Sequence, residues 1–375
     1  MKVLNVNPLI DVSTGGGAAE RTVKMSYFLA KHNVETSILT LDVNISQELK
    51  EKLKNVSILA LPCLFARFFI PVPLIFKVAK LIKSVDLIHL MNHWTILNVW
   101  VYLLARFYKK PYVVCPAGAL RVYGRSKKIK GLFNSIIGKS IINNADYCIV
   151  VTEDEKEHFY EHGIDDKKII LIPNGVSEDE VPKLDRKHFL KEKNLKDEKF
   201  IFYIGRLNSI KGTDLLVEAF CKSKEHIKNY HLLIAGPDEG LLAQLKEKVS
   251  EYSLDDKVHF LGFLSKDDKY QAYHCADFLT IPSRSEAMSI VVLESGLVGT
   301  PVLLTDQCGL NELEDLKCGK VVAAEVNDLA KGLQYLIKNE EKLPEMGKNL
   351  EAFVRNNYAW DSIVEQYIHH YKKLT

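Results

Sequence analysis

Two cations and two carboxylates have the types and spacing to do chemistry. Arg206 closes a strand-like run in Tyr203-Ile204-Gly205-Arg206-Leu207-Asn208-Ser209-Ile210-Lys211-Gly212, and Lys211 follows where a helix pattern begins. Arginine offers phosphate a planar fork, and lysine a mobile point charge. Above a helix N-terminus, such a pair could stabilise a diphosphate leaving group, whose negative charge grows as the bond to it breaks. The alternative is two solvated surface cations. Glu286 and Glu294 lie in Pro282-Ser283-Arg284-Ser285-Glu286-Ala287-Met288-Ser289-Ile290-Val291-Val292-Leu293-Glu294. Were both helical, their spacing would put them ~12 Å apart along the axis, too far for the carboxylate pair of a glycoside hydrolase. The spacing suits one carboxylate on a sugar and the other on a ribose. The backbone N–H groups of Met288, Ser289, Ile290 and Val291 would then meet the phosphates between them. Glu286 could instead be only a first-turn acid favoured by the helix dipole. Glu294 falls in an apolar helix pattern, where an unpaired carboxylate is costly. Finally, Thr14-Gly15-Gly16-Gly17-Ala18 joins the first strand to a helix pattern. Glycines there either let N–H groups reach an anion or merely serve a tight turn. The spacing is neither the dinucleotide fingerprint nor a P-loop.

The elements that must position these residues alternate along the chain. β-branched runs predict strands over 3–7, 36–41, 87–90, 112–115, 147–152 and 169–172, then 200–204, 231–235, 258–261, 278–281 and 302–305. Amphipathic patterns predict helices over 18–32, 97–108 and 128–143, then 214–221, 241–252, 269–275, 286–299 and 361–374. This is the pattern of an α/β protein with two doubly wound parallel sheets, each covered on both faces by helices. The break is expected at Pro173-Asn174-Gly175-Val176, giving domains 1–176 and 177–356, with a final helix in 357–375 packing back on the first domain. Two such domains in series leave a cleft lined by the carboxyl ends of both sheets, where ligands bind.

Composition narrows the class. The 375 residues are 47% hydrophobic and 26% charged, with a net charge of +2, so nothing global suggests a nucleic-acid partner. The total hides a split. Residues 1–177 hold 23 Lys and Arg against 15 Asp and Glu, and the remainder holds 27 against 33. Seven cysteines without Cys-x-x-Cys pairs argue against a disulfide framework or zinc site and fit a reducing cytoplasm. The apolar run at the N-terminus is too short for a signal peptide. The longest apolar runs fall short of the ~18–20 residues that span a bilayer.

With Ile172-Pro173-Asn174-Gly175-Val176, Ala235-Gly236-Pro237, Phe260-Leu261-Gly262-Phe263 and Gly299-Thr300-Pro301-Val302 added in this order and spacing, the sequence resembles the retaining glycosyltransferases of family 4, which have the GT-B fold. The resemblance spans nearly the whole chain and is strongest over 200–305. It implies a nucleotide-sugar co-substrate, a UDP- or GDP-sugar, with no further cofactor and no metal; no Asp-x-Asp metal motif is present. It implies that Gly205, Arg206 and Lys211 hold the donor diphosphate, with Gly236 nearby and Gly16 and Gly17 contacting phosphate from the first domain. Glu286 would sit by the transferred sugar, Glu294 on the ribose, and Phe263 at the nucleobase. Retention of the anomeric configuration would follow, with the departing phosphate helping to deprotonate the acceptor.

Two departures bear on this. Ala287 stands where the family usually has Gly, followed by Met288-Ser289-Ile290 in place of Phe-Gly-Leu. Pro116-Ala117-Gly118 occupies a loop where many members place a His; His89 and His93 end the preceding strand, and His93 is the expected substitute, against a packed or solvated role for either. The acceptor, a glycan or a lipid-linked glycan, belongs to the basic first domain. Two basic amphipathic stretches there, 65–83 (with Arg67) and 121–140 (with Arg121, Arg125 and Lys127), can lie on an anionic inner leaflet, hold a lipid diphosphate, or simply expose a solvated face. The expected role is bacterial surface polysaccharide biosynthesis. Alternatives are another GT-B nucleotide-sugar enzyme such as an epimerase, or a non-catalytic nucleotide-sugar-binding protein.

Overall fold

The strands form where apolar residues run without alternation, because a parallel strand covered on both faces has no wet side. The computed structural model describes residues 1–65, 68–120, 127–227 and 229–375. Arg67, Arg121, Arg125 and the side chain of Lys127 lie outside this description. The chain divides into unit 1, Met1–Asn174 with Trp360–Thr375, and unit 2, Gly175–Ala359.

Unit 1 contains β1 (Lys2–Val6), β2 (Glu35–Leu41), β3 (Ser57–Leu61), β4 (Cys63–Phe65), β5 (Ile70–Pro71), β6 (Leu87–Met91), β7 (Tyr112–Cys115), β8 (Tyr147–Val150) and β9 (Ile169–Leu171). Seven of these form a sheet in the order β3-β2-β1-β6-β7-β8-β9, and β4 and β5 pair as a small hairpin. β1 is central, with Val3 opposite Thr36 of β2 and Leu87 of β6, all in parallel register. Unit 2 contains β10 (Lys199–Ile204), β11 (Tyr230–Ala235), β12 (Val258–Gly262), β13 (Phe278–Ile281), β14 (Val302–Thr305) and β15 (Gly319–Val322), in the order β12-β11-β10-β13-β14-β15. In each sheet the order reverses beside the first strand. That switch point leaves a crevice at the carboxyl ends of the central strands, with loops diverging above it.

The sequence announces neither the β4–β5 hairpin nor β3 and β15, the two unannounced strands of the large sheets, which are both sheet edges. Edge strands are only half covered, and their side chains are mostly of intermediate exposure, so the apolar signal is diluted. Helix ends also depart from expectation. The first helix runs Val12–Lys31, starting at an Asp11 cap and kinking at Gly16 (φ 59°, ψ −148°). The stretch expected as one helix over 128–143 is Lys127–Phe133, a π-turn at Asn134–Gly138, and Lys139–Asn143. The helix expected from residue 286 begins at Ile290.

The final helix, Trp360–Tyr371, belongs to unit 1 and packs on Val12–Lys31. Trp360 stacks on Phe28 with ring centroids 5.8 Å apart, and Tyr367 and Tyr371 are fully buried. No helix among the described residues is long and apolar enough to cross a membrane.

Candidate functional site

In unit 2 the loop after β10 is gripped on both sides. Gly205 N–H donates to Ala235 O (3.0 Å) and Leu207 N–H to Pro237 O (2.9 Å), so pairing with the β11 side continues beyond the strands. The backbones run so close that a Cβ on Gly236, at φ 132°, would lie 1.9 Å from Gly205 O. On the other side, Gly212 caps the helix Thr213–Lys222 at φ 68°, and its Cβ would lie 1.9 Å from Pro282 O. Only glycine fits either position. The glycines flanking Arg206 and Lys211 thus answer to close backbone packing, which fixes the loop that carries both cations.

Each cation meets its own carboxylate. Lys211 Nζ donates to Glu286 Oε1 at 2.8 Å, joining the loop after β10 to the loop after β13. Ser283 Oγ donates to the same oxygen at 2.5 Å, and Glu286 N–H donates to Gln307 O at 2.9 Å. Burial pushes the Glu286 carboxyl up, but the Lys211 ammonium and the Ser283 hydroxyl outweigh it and hold the group below the ordinary glutamate range. Glu286 is therefore an ionised acceptor of hydrogen bonds at neutral pH. Arg206, half exposed, donates to Glu239 Oε1 at 3.0 Å, while Asn208 Nδ2 donates to Glu239 Oε2 at 2.6 Å. An exposed pair of this kind is weak, so a phosphate can replace Glu239 as the partner of Arg206 at little cost.

The helix Ile290–Leu297 starts at Ser289 with no side-chain cap and no acid in its first turn. Its first N–H groups lack intrahelical partners and carry the positive end of the helix dipole. Met288 and Ser289 are buried and Val291 is half-buried. Glu294, only 1% exposed, is not the unpaired carboxylate that the apolar pattern suggested. It accepts from Lys269 Nζ (2.6 Å) and Tyr273 Oη (2.9 Å), both on the helix Lys266–Cys275. Its burial is thus compensated within the fold. Phe263 follows β12 and is 69% exposed, a large aromatic face held out at a strand end. Sequence reasoning passed over Arg284, although it lies inside the quoted motif. Arg284 forms a fork with Asp214 (2.8 and 2.6 Å) and also donates to Ser209 O, tying the loop before Lys211 to the loop before Glu286. Glu239 and Lys269 were also missed; each sits a helix or loop away from the group it neutralises, and a single sequence gives no pairing information.

In unit 1, Gly16 and Gly17 do not open the helix as expected. Asp11 caps an extra turn ahead of them by accepting from Thr14 N–H (3.1 Å), and Gly16 provides the kink after it. His89 and His93 are both buried. His89 Nδ1 meets Tyr371 Oη at 2.5 Å, and burial pushes its pKa down to about 3. His93 Nε2 meets Asn134 Oδ1 at 2.9 Å, its ring lies edge-on to Trp94 and Phe133, and burial pushes its pKa down to about 4. Neither carries a charge at neutral pH. The loop that lacks the family His is fixed by Glu155, which is buried and accepts from Gly118 N–H and from Val151 N–H (2.7 Å).

Two family models cover the chain in tandem: glycosyltransferase family 4 over residues 15–180 and glycosyl transferases group 1 over residues 185–353. The chain belongs to the group 1/family 4 glycosyltransferases. An uncharacterized glycosyltransferase of Methanocaldococcus jannaschii is 31% identical over 178 residues, 47% of this chain and 45% of that protein. The D-inositol 3-phosphate glycosyltransferase of Nocardia farcinica is 28% identical over 243 residues, 62% of this chain and 54% of that protein. The chain thus matches about half the length of these relatives. A crystal structure of Anabaena HepE in complex with UDP and glucose superposes with a TM-score of 0.83 at 18% identity, covering 100% of both chains. The fold is GT-B, two parallel α/β sheets of seven and six strands.

Proposed function

We propose that this family member transfers a sugar from a nucleoside-diphosphate sugar, a UDP- or GDP-sugar, to a glycan or lipid-linked acceptor, retaining the anomeric configuration. The observation that carries the reading is the Lys211–Glu286 pair at 2.8 Å, between the loops that follow adjacent strands β10 and β13. Such a pair serves both ends of the bond to be broken. Lys211, with Arg206, meets the diphosphate, where negative charge accumulates in the transition state. The ionised Glu286 accepts hydrogen bonds from hydroxyls of the transferred sugar. The N-terminus of Ile290–Leu297 adds backbone donors to the phosphates.

In this reading Glu294 takes the ribose hydroxyls, with Lys269 and Tyr273 keeping it oriented. Backbone around Phe263 meets the base. A departing phosphate oxygen takes the acceptor's proton, so no separate general base and no metal are assigned. His93, neutral and walled in by Trp94 and Phe133, acts through position rather than charge. Bacterial surface polysaccharide synthesis at the cytoplasmic face of the membrane is the setting that fits a basic unit 1 and a lipid-linked acceptor.

The test is turnover on a donor panel, read as nucleotide release that depends on a glycan-lipid acceptor, with the product anomer assigned by NMR. Acceptor-dependent release with a retained anomer is expected. An inverted product would overturn the retaining assignment. Nucleotide binding without transfer to any acceptor, or epimerised donor, would favour the non-catalytic or epimerase readings.

A further inference from the structure

From residue 52 to residue 145 the chain carries 15 Lys and Arg and a single acid, Asp86. Asp86 is already engaged by the backbone N–H of Lys2, at 2.7 Å. Beyond β3, this segment supplies β6, β7 and one helical layer of unit 1. Strands β3, β6, β7 and β8 advance across the sheet in one direction, so right-handed crossovers put the helices between them on one face. Those helices are Ile75–Ser84, Ile96–Phe107 and the broken helix that begins at Lys127. They are neighbours: Lys83 Nζ lies 4.8 Å from the Tyr108 ring centroid, and Trp94 and Phe133 rings meet at 5.6 Å. Their inner faces enter the core through Val78, Ile82, Leu97, Val101 and Ile141.

Their outer faces are not the polar surface that such a layer normally shows. Phe76 is 93% exposed, Phe107 76% and Ile136 69%, with Leu103, Ile129 and Leu132 more than half exposed. Exposed Lys77, Lys80, Lys83, Arg106 and Lys109 stand among them. In unit 2 the large apolar side chains exposed among the described residues are Phe263, Leu316 and Tyr335, far apart in sequence. Large exposed apolar groups concentrated on one face mark an interaction surface.

We infer that this face of unit 1 docks on an anionic phospholipid bilayer, with Phe76, Phe107 and the Ile129–Leu132–Ile136 ridge entering the interface and the surrounding lysines and Arg106 meeting lipid phosphates. Apolar side chains mixed with cations, and almost no acids, are the combination an anionic leaflet rewards twice, by burial and by charge. A second copy docking through the same face is disfavoured as the occupant, because it would bring the same excess of cations to the contact. The docking gives a lipid-linked acceptor a place to meet the enzyme, and in that respect it rests on the function proposed above.

The experiment is co-sedimentation of the full chain with phosphatidylglycerol-containing vesicles and with phosphatidylcholine vesicles, at low and high salt and without donor. The wild-type chain is expected to bind the anionic vesicles at least ~10-fold more tightly than the neutral ones. Phe76→Ser with Phe107→Ser is expected to cost at least ~10-fold at either salt concentration. Lys77→Gln with Lys80→Gln should cost affinity chiefly at low salt. Unchanged vesicle affinity in the aromatic variant overturns the inference. So does self-association through Phe76 and Phe107 without vesicle binding. Thermal stabilisation by uridine diphosphate, followed in the same variants, shows that they are folded and separates the two readings. Loss of nucleotide response with vesicle binding intact counts against the transferase function alone.

Discussion

At the residue scale, the most informative contact is the one between Lys211 and Glu286. Before donor arrives, the pair keeps a buried carboxylate ionised and a flexible ammonium in place. Preorganisation of this kind is where electrostatic stabilisation of a leaving group comes from. Lys211→Ala removes the cation that offsets Glu286 burial and, in the proposed function, the donor to the diphosphate. Turnover is expected to fall at least ~100-fold, whereas free-nucleotide affinity, which the proposal assigns also to Glu294 and the helix N-terminus, falls much less. Near-normal turnover in this variant, measured by nucleotide release, would remove the assigned role. Arg284 is a positioning residue in the same frame, since it touches Asp214 and Ser209 O and holds the two loops in register.

At the element scale, the site depends on loops packed backbone to backbone. Gly236 and Gly212 are where neighbouring loops approach too closely for a Cβ. Gly236→Ala combines a clash with the Gly205 carbonyl and an unfavourable φ of 132°. It is expected to destabilise by roughly 1–3 kcal/mol, and to weaken donor binding by displacing Gly205 and Arg206. Gly131 is the matched control. It lies in a helix, and a Cβ added there would meet nothing within 4 Å, so Gly131→Ala should be neutral or stabilising by about 0.5–1 kcal/mol. Equal midpoints for the two variants in urea unfolding would contradict this account.

At the scale of the whole molecule, the C-terminal helix is part of unit 1, and its buried tyrosines are tied to that unit's interior. Arg21, itself buried, donates to Asn174 Oδ1 (2.5 Å), to Ile172 O (2.7 Å) and to Tyr367 Oη, so one guanidinium ties the place where the chain leaves unit 1 to the middle of the C-terminal helix. His89 adds its contact with Tyr371. Burial keeps His89 and His93 neutral in the folded chain down to about pH 3 and 4, whereas the unfolded chain protonates them near pH 6.5. The unfolded state then binds more protons, so their contribution to stability is complete above about pH 6.5 and is lost as pH falls toward 4. Glu155 and Asp277, pushed up by burial, work in the opposite direction, while His231, His259, His274 and His370, pushed down by burial, work in the same direction as His89 and His93. The thermal midpoint is therefore expected to fall steadily from neutral pH to about pH 4.5. His93→Gln should flatten that fall, and a pH-independent midpoint over the interval would refute the assignment.

By itself, the sequence determined the class of fold and the local motifs, because central parallel strands must be apolar throughout and turn glycines recur where strands end. The edge strands Ser57–Leu61 and Gly319–Val322 escaped because half-covered strands lack that signature. Arg206, Lys211 and Glu286 were singled out as site candidates by their places after strand ends, and Glu294 by its place in an apolar helix pattern. Only the tertiary structure decided what each one touches. It gave Glu294 to Lys269 and Tyr273, Arg206 to Glu239 and Lys211 to Glu286, and it turned His89 inward against a helix 282 residues further along. The reason is physical. Which residues end a strand is set locally by hydrophobic pattern and turn chemistry. Which charge compensates which is set by packing between segments far apart in the chain.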